Sequence, residues 1–323
     1  MFQEMMMMKL NELLDIQENI VLMESEYQNN TYITKSLKFL YNTVSELSQF
    51  NEPVDAKIIM LEEIDGVYAL GLYNPPIKQA AFWTLLTTVL DTEHQNTFNE
   101  FVHAIKNHIA DEGVLTLYIE KNEFIEAIRE YYSIKLVENL KNYPVNTEFV
   151  YNKPRVERLK KIINQLKQSH GLDLSGKVLE ICCGNGMATA ALNELGIRPL
   201  CVDNDSYSIL EGLASKVLKP EKTIVADVTE LTDIIKGEEF DVSTGFMLGD
   251  IDEFNTHLWK EMLIQTIKLT KKDGSLLFTF RTEPEVMFVR DLLEELATGD
   301  VICPDETELL YDCWIYIGKK KLV

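Results

Sequence analysis

The sequence predicts an α/β protein: a doubly wound, mainly parallel sheet in residues 151–323, preceded by a mainly α-helical domain in residues 1–150. Three observations carry this. Five short apolar runs follow one another after residue 177, separated by stretches of helical period. A glycine-bearing loop, Cys182-Cys183-Gly184-Asn185-Gly186, leaves the first run and opens a helix. Upstream, apolar residues recur mostly at helical spacing. At 323 residues the chain exceeds one typical domain of roughly 150 residues, which agrees with two.

In the first domain Ile33, Leu37, Leu40, Val44 and Leu47 form one apolar stripe, so residues 33–47 are expected to be helical. Ala80 to Leu90, Phe98 to Ile109 and Glu123 to Leu140 read as three more helical stretches, the last stopped by Asn142-Tyr143-Pro144. Gly66 to Tyr73 fits either a strand or a buried helical turn. Such a domain packs on its neighbour and, in the sharper reading, caps a site and excludes water from it.

Pro154 suits the first turn of a helix, where a missing N–H would be unpaired anyway, and Val156, Leu159, Ile162, Ile163 and Leu166 give that helix its inward face. Tyr151, Asn152 and Arg155 at its start are candidates to line a pocket. Val178 to Ile181 then reads as a buried strand emptying through the glycine loop into a helix N-terminus. Gly184 and Gly186 let the backbone approach a ligand and take a positive φ without steric cost. Leu200-Cys201-Val202-Asp203 is a second strand whose acid stands 19 residues after Gly184, where a carboxylate at a strand tip accepts ribose hydroxyls. Thr223 to Val228 carries Asp227, placed to accept from the exocyclic amine of an adenine. Phe240 to Phe246 and Gly274 to Phe280 complete the alternation, with a helix over Asn255 to Leu269 between them. Cys313 to Gly318 is a last strand, expected antiparallel at the sheet edge.

At these positions the sequence resembles the class I S-adenosylmethionine-dependent methyltransferases, over about the C-terminal half, from Lys153 onward. Glu180-Ile181-Cys182-Cys183-Gly184-Asn185-Gly186 matches the family's acid-x-Gly-x-Gly-x-Gly loop, Asp203 its ribose acid and Asp227 its adenine-side acid. The resemblance implies a Rossmann-like methyltransferase sheet that binds S-adenosylmethionine through Glu180, Cys182, Cys183, Gly184, Asn185, Gly186, Asp203, Asn204, Asp227, Val228 and Phe246. Cys182 stands in the family's first glycine slot, which is acceptable if its backbone stays in an ordinary extended or bridge conformation. The competing ligand is a nicotinamide dinucleotide, whose fingerprint needs a third glycine where this chain has Thr189. An acid just before the loop also suits an amine-bearing ligand better than a pyrophosphate. Asn74-Pro75-Pro76-Ile77 resembles the Asn-Pro-Pro-aromatic loop of amino-methyltransferases, but Ile77 replaces the aromatic, so a plain proline turn is the better reading.

Methyl transfer from a sulfonium is an in-line displacement that needs alignment, exclusion of water and, for a poor nucleophile, a base. Asp250, in the loop after the fourth strand, is the first choice for that base, with His257 second. Surface acid or helix cap is the plainer role for either. The acceptor class expected first is a small molecule. Modification of a protein side chain, or cofactor binding without turnover, are the alternatives.

Composition narrows the partners. Residues 1–150 hold 23 acidic against 10 basic side chains and residues 151–323 hold 29 against 21, for a net charge of −21. That field repels a polyanion, so nucleic acid is disfavoured as a partner. Hydrophobic residues make up 46 %, enough for ordinary globular cores, and no run approaches the ~18 apolar residues of a membrane span. Five cysteines without metal-ligand spacing read as reduced thiols of a cytoplasmic protein, and no metal is expected. Met1 to Met8 lacks the basic region and apolar core of a secretory signal and reads as an uncertain start site.

Overall fold

A computed structural model describes residues 8–27, 32–77, 79–91, 93–147, 150–304 and 310–322. Most of the methionine cluster, residues 1–7, lies outside the described residues. The chain divides into two units, residues 1–132 and 133–323. The sequence reading set the boundary after residue 150. The division instead falls inside one continuous helix, where no turn residue marks it.

The first unit contains α1 (Lys9–Leu14), β1 (Asn19–Leu22), α2 (Thr34–Leu47), β2 (Ile58–Glu63), β3 (Gly66–Asn74), β4 (Phe82–Thr87), α3 (Gln95–Lys106), β5 (Val114–Leu117) and the start of α4 (Lys121–Asn139). It is not mainly helical. Five strands form one mixed sheet in the order β1-β4-β3-β2-β5. The stretch from Ala80 to Leu90, expected as helix, holds β4, and Gly66 to Tyr73 lies in strand β3. Five successive residues of β4, Trp83 to Thr87, are buried. A strand covered on both faces loses the period-two alternation, and a short apolar run is then ambiguous by pattern alone. The stripes assigned to α2 and α3 do cover this sheet: Ile33, Leu40, Phe98, Val102 and Ile105 pack with Ile58, Met60, Leu70 and Leu86. The Asn74 amide donates to Leu72 O and to Thr84 Oγ1 (3.0 Å each), and Ile77 is exposed, as a turn after β3 requires.

The second unit takes up the rest of α4 and continues with α5 (Lys153–Ser169), β6 (Val178–Ile181), α6 (Met187–Glu194), β7 (Leu200–Asp203), α7 (Ser206–Ala214), β8 (Thr223–Val225), α8 (Leu231–Ile234), β9 (Phe240–Gly245), α9 (Thr256–Leu269), β10 (Thr270–Phe280), α10 (Glu283–Leu293), β11 (Ala297–Ile302) and β12 (Trp314–Lys320). Its sheet runs β11-β12-β10-β9-β6-β7-β8. β8, β7, β6, β9 and β10 are parallel, and β12 is antiparallel to both β10 and β11. This is the doubly wound Rossmann-like sheet the sequence predicts. The last strand is antiparallel as expected, but it is not the edge. β11 is, and its exposed Thr298-Gly299-Asp300 gave no apolar run to read. Strand order reverses between β6 and β9, and the crevice beyond the carboxyl ends of such strands is where open α/β sheets bind ligands.

The core of this unit joins α5 and α6 to the sheet. Val156, Leu159, Ile162, Ile163 and Leu166 pack with Val178, Val242, Leu277 and Ile315. Among the described residues no helix is long and apolar enough to cross a membrane.

Candidate cofactor site

The loop after β6 is built from three left-handed residues. Cys182 has φ 51°, Gly184 φ 53° and Gly186 φ 83°. The expectation that Cys182 keeps an ordinary extended conformation is therefore corrected: its slot demands the glycine-type conformation even though a side chain is present, at a cost of roughly 1–2 kcal/mol. Gly184 faces open space: apart from its two chain neighbours, no heavy atom of the described residues lies within 4 Å of where a Cβ would stand. Gly186 is tight instead, since a Cβ there would meet Leu218 Cδ2 at 2.9 Å. One glycine thus opens the cradle and the other seats the start of α6.

Asp203, at the tip of β7, holds the loop. Its Oδ2 accepts from Gly184 N at 2.8 Å and its Oδ1 accepts from Asp205 N at 2.8 Å. A carboxylate offers about four lone-pair sites, so each oxygen keeps capacity for a ligand hydroxyl. Asp227 uses Oδ1 to cap the turn of Val228–Glu230, accepting from Thr229 N (2.9 Å) and Thr229 Oγ1 (2.8 Å). Burial raises the Cys182 thiol well above its ordinary pKa, and the carboxylates of Asp203 and Asp227 raise it further. The charges of both acids thus act on Cys182, and Asp203 alone is seen bonded to the loop.

Glu180 is the unusual member. It is 1 % exposed at the end of β6. Its Oε2 accepts from Thr189 Oγ1 at 2.8 Å and from Cys201 Sγ at 3.7 Å. Its Oε1 has no hydrogen-bond partner among the described residues. Burial pushes the carboxyl up to about 7, against the opposing pull of Thr189, Cys201 and the nearby Arg155 guanidinium. Thr189 was legible only as the absence of a dinucleotide glycine. In the fold it is the donor that holds the buried acid.

The other named residues fall outside this convergence. Cys183 is buried with Cys201, Ile209, Leu213 and Leu218, and Phe246 lies in the core beside Val242 and Leu277, so both fill the interior. Asn185 Nδ2 donates to Glu211 Oε2 at 3.4 Å, Asn204 is exposed and Val228 is buried. Asp250 and His257 are both exposed, and neither side chain is oriented by a second group among the described residues. Of the pocket candidates at the start of α5, Tyr151 donates to Glu194 Oε1 (2.7 Å), Asn152 caps the helix by accepting from Arg155 N (3.1 Å), and Arg155 is buried in an ion pair with Asp312. Sequence reading missed Glu285. It closes a capping box with Thr282 on α10 and also accepts from Ile251 N at 3.2 Å. The spacing Thr282-x-x-Glu285 was its available signal.

No family model matches the chain, and no curated protein does. Solved structures do match. The likeness is to methyltransferases. An N-methyltransferase, NodS, from Bradyrhizobium japonicum is 16 % identical with a TM-score of 0.40, over 53 % of this chain and 98 % of that one. CalS10, an amino pentose methyltransferase from Micromonospora echinaspora solved with S-adenosylmethionine bound, is 7 % identical with a TM-score of 0.40, over 51 % of this chain and 91 % of its own. An rRNA methylase from Streptococcus thermophilus is 15 % identical with a TM-score of 0.37, over 52 % of this chain and 94 % of its own.

Proposed function

We propose that the second unit binds S-adenosylmethionine and transfers its methyl group, with a small molecule as the acceptor class. The observation that carries the cofactor assignment is the unpartnered Oε1 of buried Glu180 at the end of the strand that feeds an open glycine cradle. A buried carboxylate oxygen without a donor is costly. An ammonium group satisfies it, and S-adenosylmethionine carries one. A pyrophosphate would instead bring negative charge against Glu180, Asp203 and Asp227. The residues present therefore fit the aminated nucleoside and not the dinucleotide.

When bound, this cofactor supplies an electrophilic methyl group on a sulfonium. The chain's own residues then have limited work. Asp203 orients the ribose while keeping Gly184 in place, Asp227 faces the adenine side, and Glu180 holds the ammonium end. The loop of residues 246–252 leaves the same end of the sheet as the cradle, because β6 and β9 are parallel neighbours. It offers Asp250 as a base for acceptors that need one.

The exposure of Asp250 and His257, neither held by a partner, favours an acceptor that is already a good nucleophile and supports a second reading, cofactor binding without turnover. Incubation with methyl-labelled S-adenosylmethionine and a size-fractionated cell extract separates these. Label in the small-molecule fraction supports the first reading, label on protein moves the acceptor class, and binding without any transfer supports the second.

A further inference from the structure

We propose that Arg155, Asp312 and Thr279 form a buried positioning relay that fixes the loop after β9 beside the cofactor cradle, so that acceptor alignment rather than cofactor affinity depends on its Thr279 link to Met247. This rests on the methyltransferase reading above. Asp312 is fully buried immediately ahead of β12, and Arg155 on α5 is 8 % exposed. The guanidinium meets the carboxylate twice, Nε to Oδ2 at 2.9 Å and Nη2 to Oδ1 at 3.2 Å. Thr279, near the end of β10, donates its hydroxyl to Asp312 Oδ1 at 2.6 Å and accepts from Met247 N at 2.8 Å. Asp312 N in turn reaches Met247 Sδ at 3.0 Å.

The relay ends on a strained residue. Met247 has φ 58° and Asp312 φ 51°, both left-handed without being glycine. Such conformations persist where surrounding contacts over-determine them, and they cluster at functional sites. Met247 is over-determined by a side-chain bond to its amide and by a contact to its sulfur, while Leu248 N donates to Thr279 O at 2.9 Å. Glu285 holds the far side of the same loop through Ile251. Arg158 anchors the Asp312 segment from behind, donating to Tyr311 O and to Asp312 O. Tyr311 lays its ring against the Arg155 guanidinium at 5.0 Å. A buried ion pair is weak evidence for stability, since well-packed apolar residues often do as well, and geometric specification is its better-attested use.

Position supports the role. β6, β9 and β10 are consecutive parallel neighbours, so the cradle, the loop of residues 246–252 and the end of β10 all leave one end of the sheet. β12 is antiparallel and begins opposite Phe280, which brings Asp312 to that same end.

Removing Asp312 or Arg155 alone strands a buried charge and threatens the fold, so the test uses Thr279→Val, which keeps the β-branch and replaces the hydroxyl with a methyl, with Thr279→Ser as rescue. In the full chain, amide exchange at Met247 is expected to quicken by about tenfold in Thr279→Val and to return to near the wild-type rate in Thr279→Ser. S-adenosylhomocysteine affinity should stay within about twofold of wild type. Label transfer from methyl-labelled S-adenosylmethionine into cell extract should drop by about tenfold or more. The relay is refuted if Met247 exchange or label transfer is unchanged in Thr279→Val. It is equally refuted if S-adenosylhomocysteine affinity collapses in parallel, since the hydroxyl then supports the whole fold. Failure of the wild-type chain to bind S-adenosylhomocysteine or to transfer label strikes the methyltransferase reading instead, and the exchange comparison alone then decides the relay.

Discussion

Replacing Glu180 by glutamine separates what this acid does to stability from what it does to binding. The carboxyl lies at about 7 in the fold against an ordinary 4.5, because burial disfavours its charged form. Between those values the folded chain holds a proton that the unfolded chain has lost. Stability of the ligand-free protein therefore falls as pH rises from the unfolded value through the folded one, and flattens above it. The full fall from this one group is about 3 kcal/mol. Glu180→Gln removes the ionisation, so its unfolding free energy should change less between pH 5 and pH 8 than that of the wild type, the difference approaching that amount. Binding should respond in the opposite sense. An ammonium ligand needs the ionised carboxylate, so S-adenosylmethionine affinity should rise with pH toward 7 and level off, with about a tenfold loss at one pH unit below the carboxyl's value. The glutamine variant should bind weakly and without that slope. Urea unfolding and calorimetry across pH 5–8 measure both effects. A wild-type minus variant stability difference that does not move with pH would show instead that Glu180 ionises normally.

Three other outcomes are expected. Asp203→Ala removes the acceptor of Gly184 N and the proposed ribose acid together, so S-adenosylmethionine affinity should drop by roughly tenfold to a hundredfold, read by calorimetry, since bonds to charged groups are worth about 1.5–3 kcal/mol. Cys182→Gly relieves a left-handed cysteine and should stabilise the chain by up to about 1 kcal/mol after the entropy cost of glycine, whereas Cys182→Val should destabilise it. Thermal melts of the two variants must move in opposite directions. Arg155→Ala leaves Asp312 buried and uncompensated, and urea unfolding should report a loss of about 3–5 kcal/mol; a loss under about 1 kcal/mol would mean that the pair is hydrated.

The parallel half of the fold was legible because its strands are short, apolar and punctuated, and because acids close three of them. The loop, Asp203 and Asp227 could be placed by counting residues. The first unit was not legible in the same way. β4 is covered along most of its length, so its pattern carries no period to separate strand from helix, while α2 and α3 display theirs on one face. The edge strand β11 was hidden by its polar centre. Within the site, what spacing cannot show is partnering. Thr189 reads as a missing glycine until its hydroxyl is seen on Glu180. Asp312 reads as nothing until Arg155 and Thr279 meet it across 157 and 33 residues of chain. The cysteine at 182 misled in a specific way: a side chain suggested an ordinary backbone, but the turn sets φ and the residue tolerates it.

The proposed occupant of this cradle is an aminated sulfonium nucleoside. Titration of the full chain with S-adenosylmethionine and, separately, with NAD by calorimetry near pH 8 tests it most directly. Saturable binding of S-adenosylmethionine, weakened by roughly tenfold to a hundredfold in Asp203→Ala, and no heat from NAD are expected. Tight NAD binding with no response to S-adenosylmethionine would contradict it.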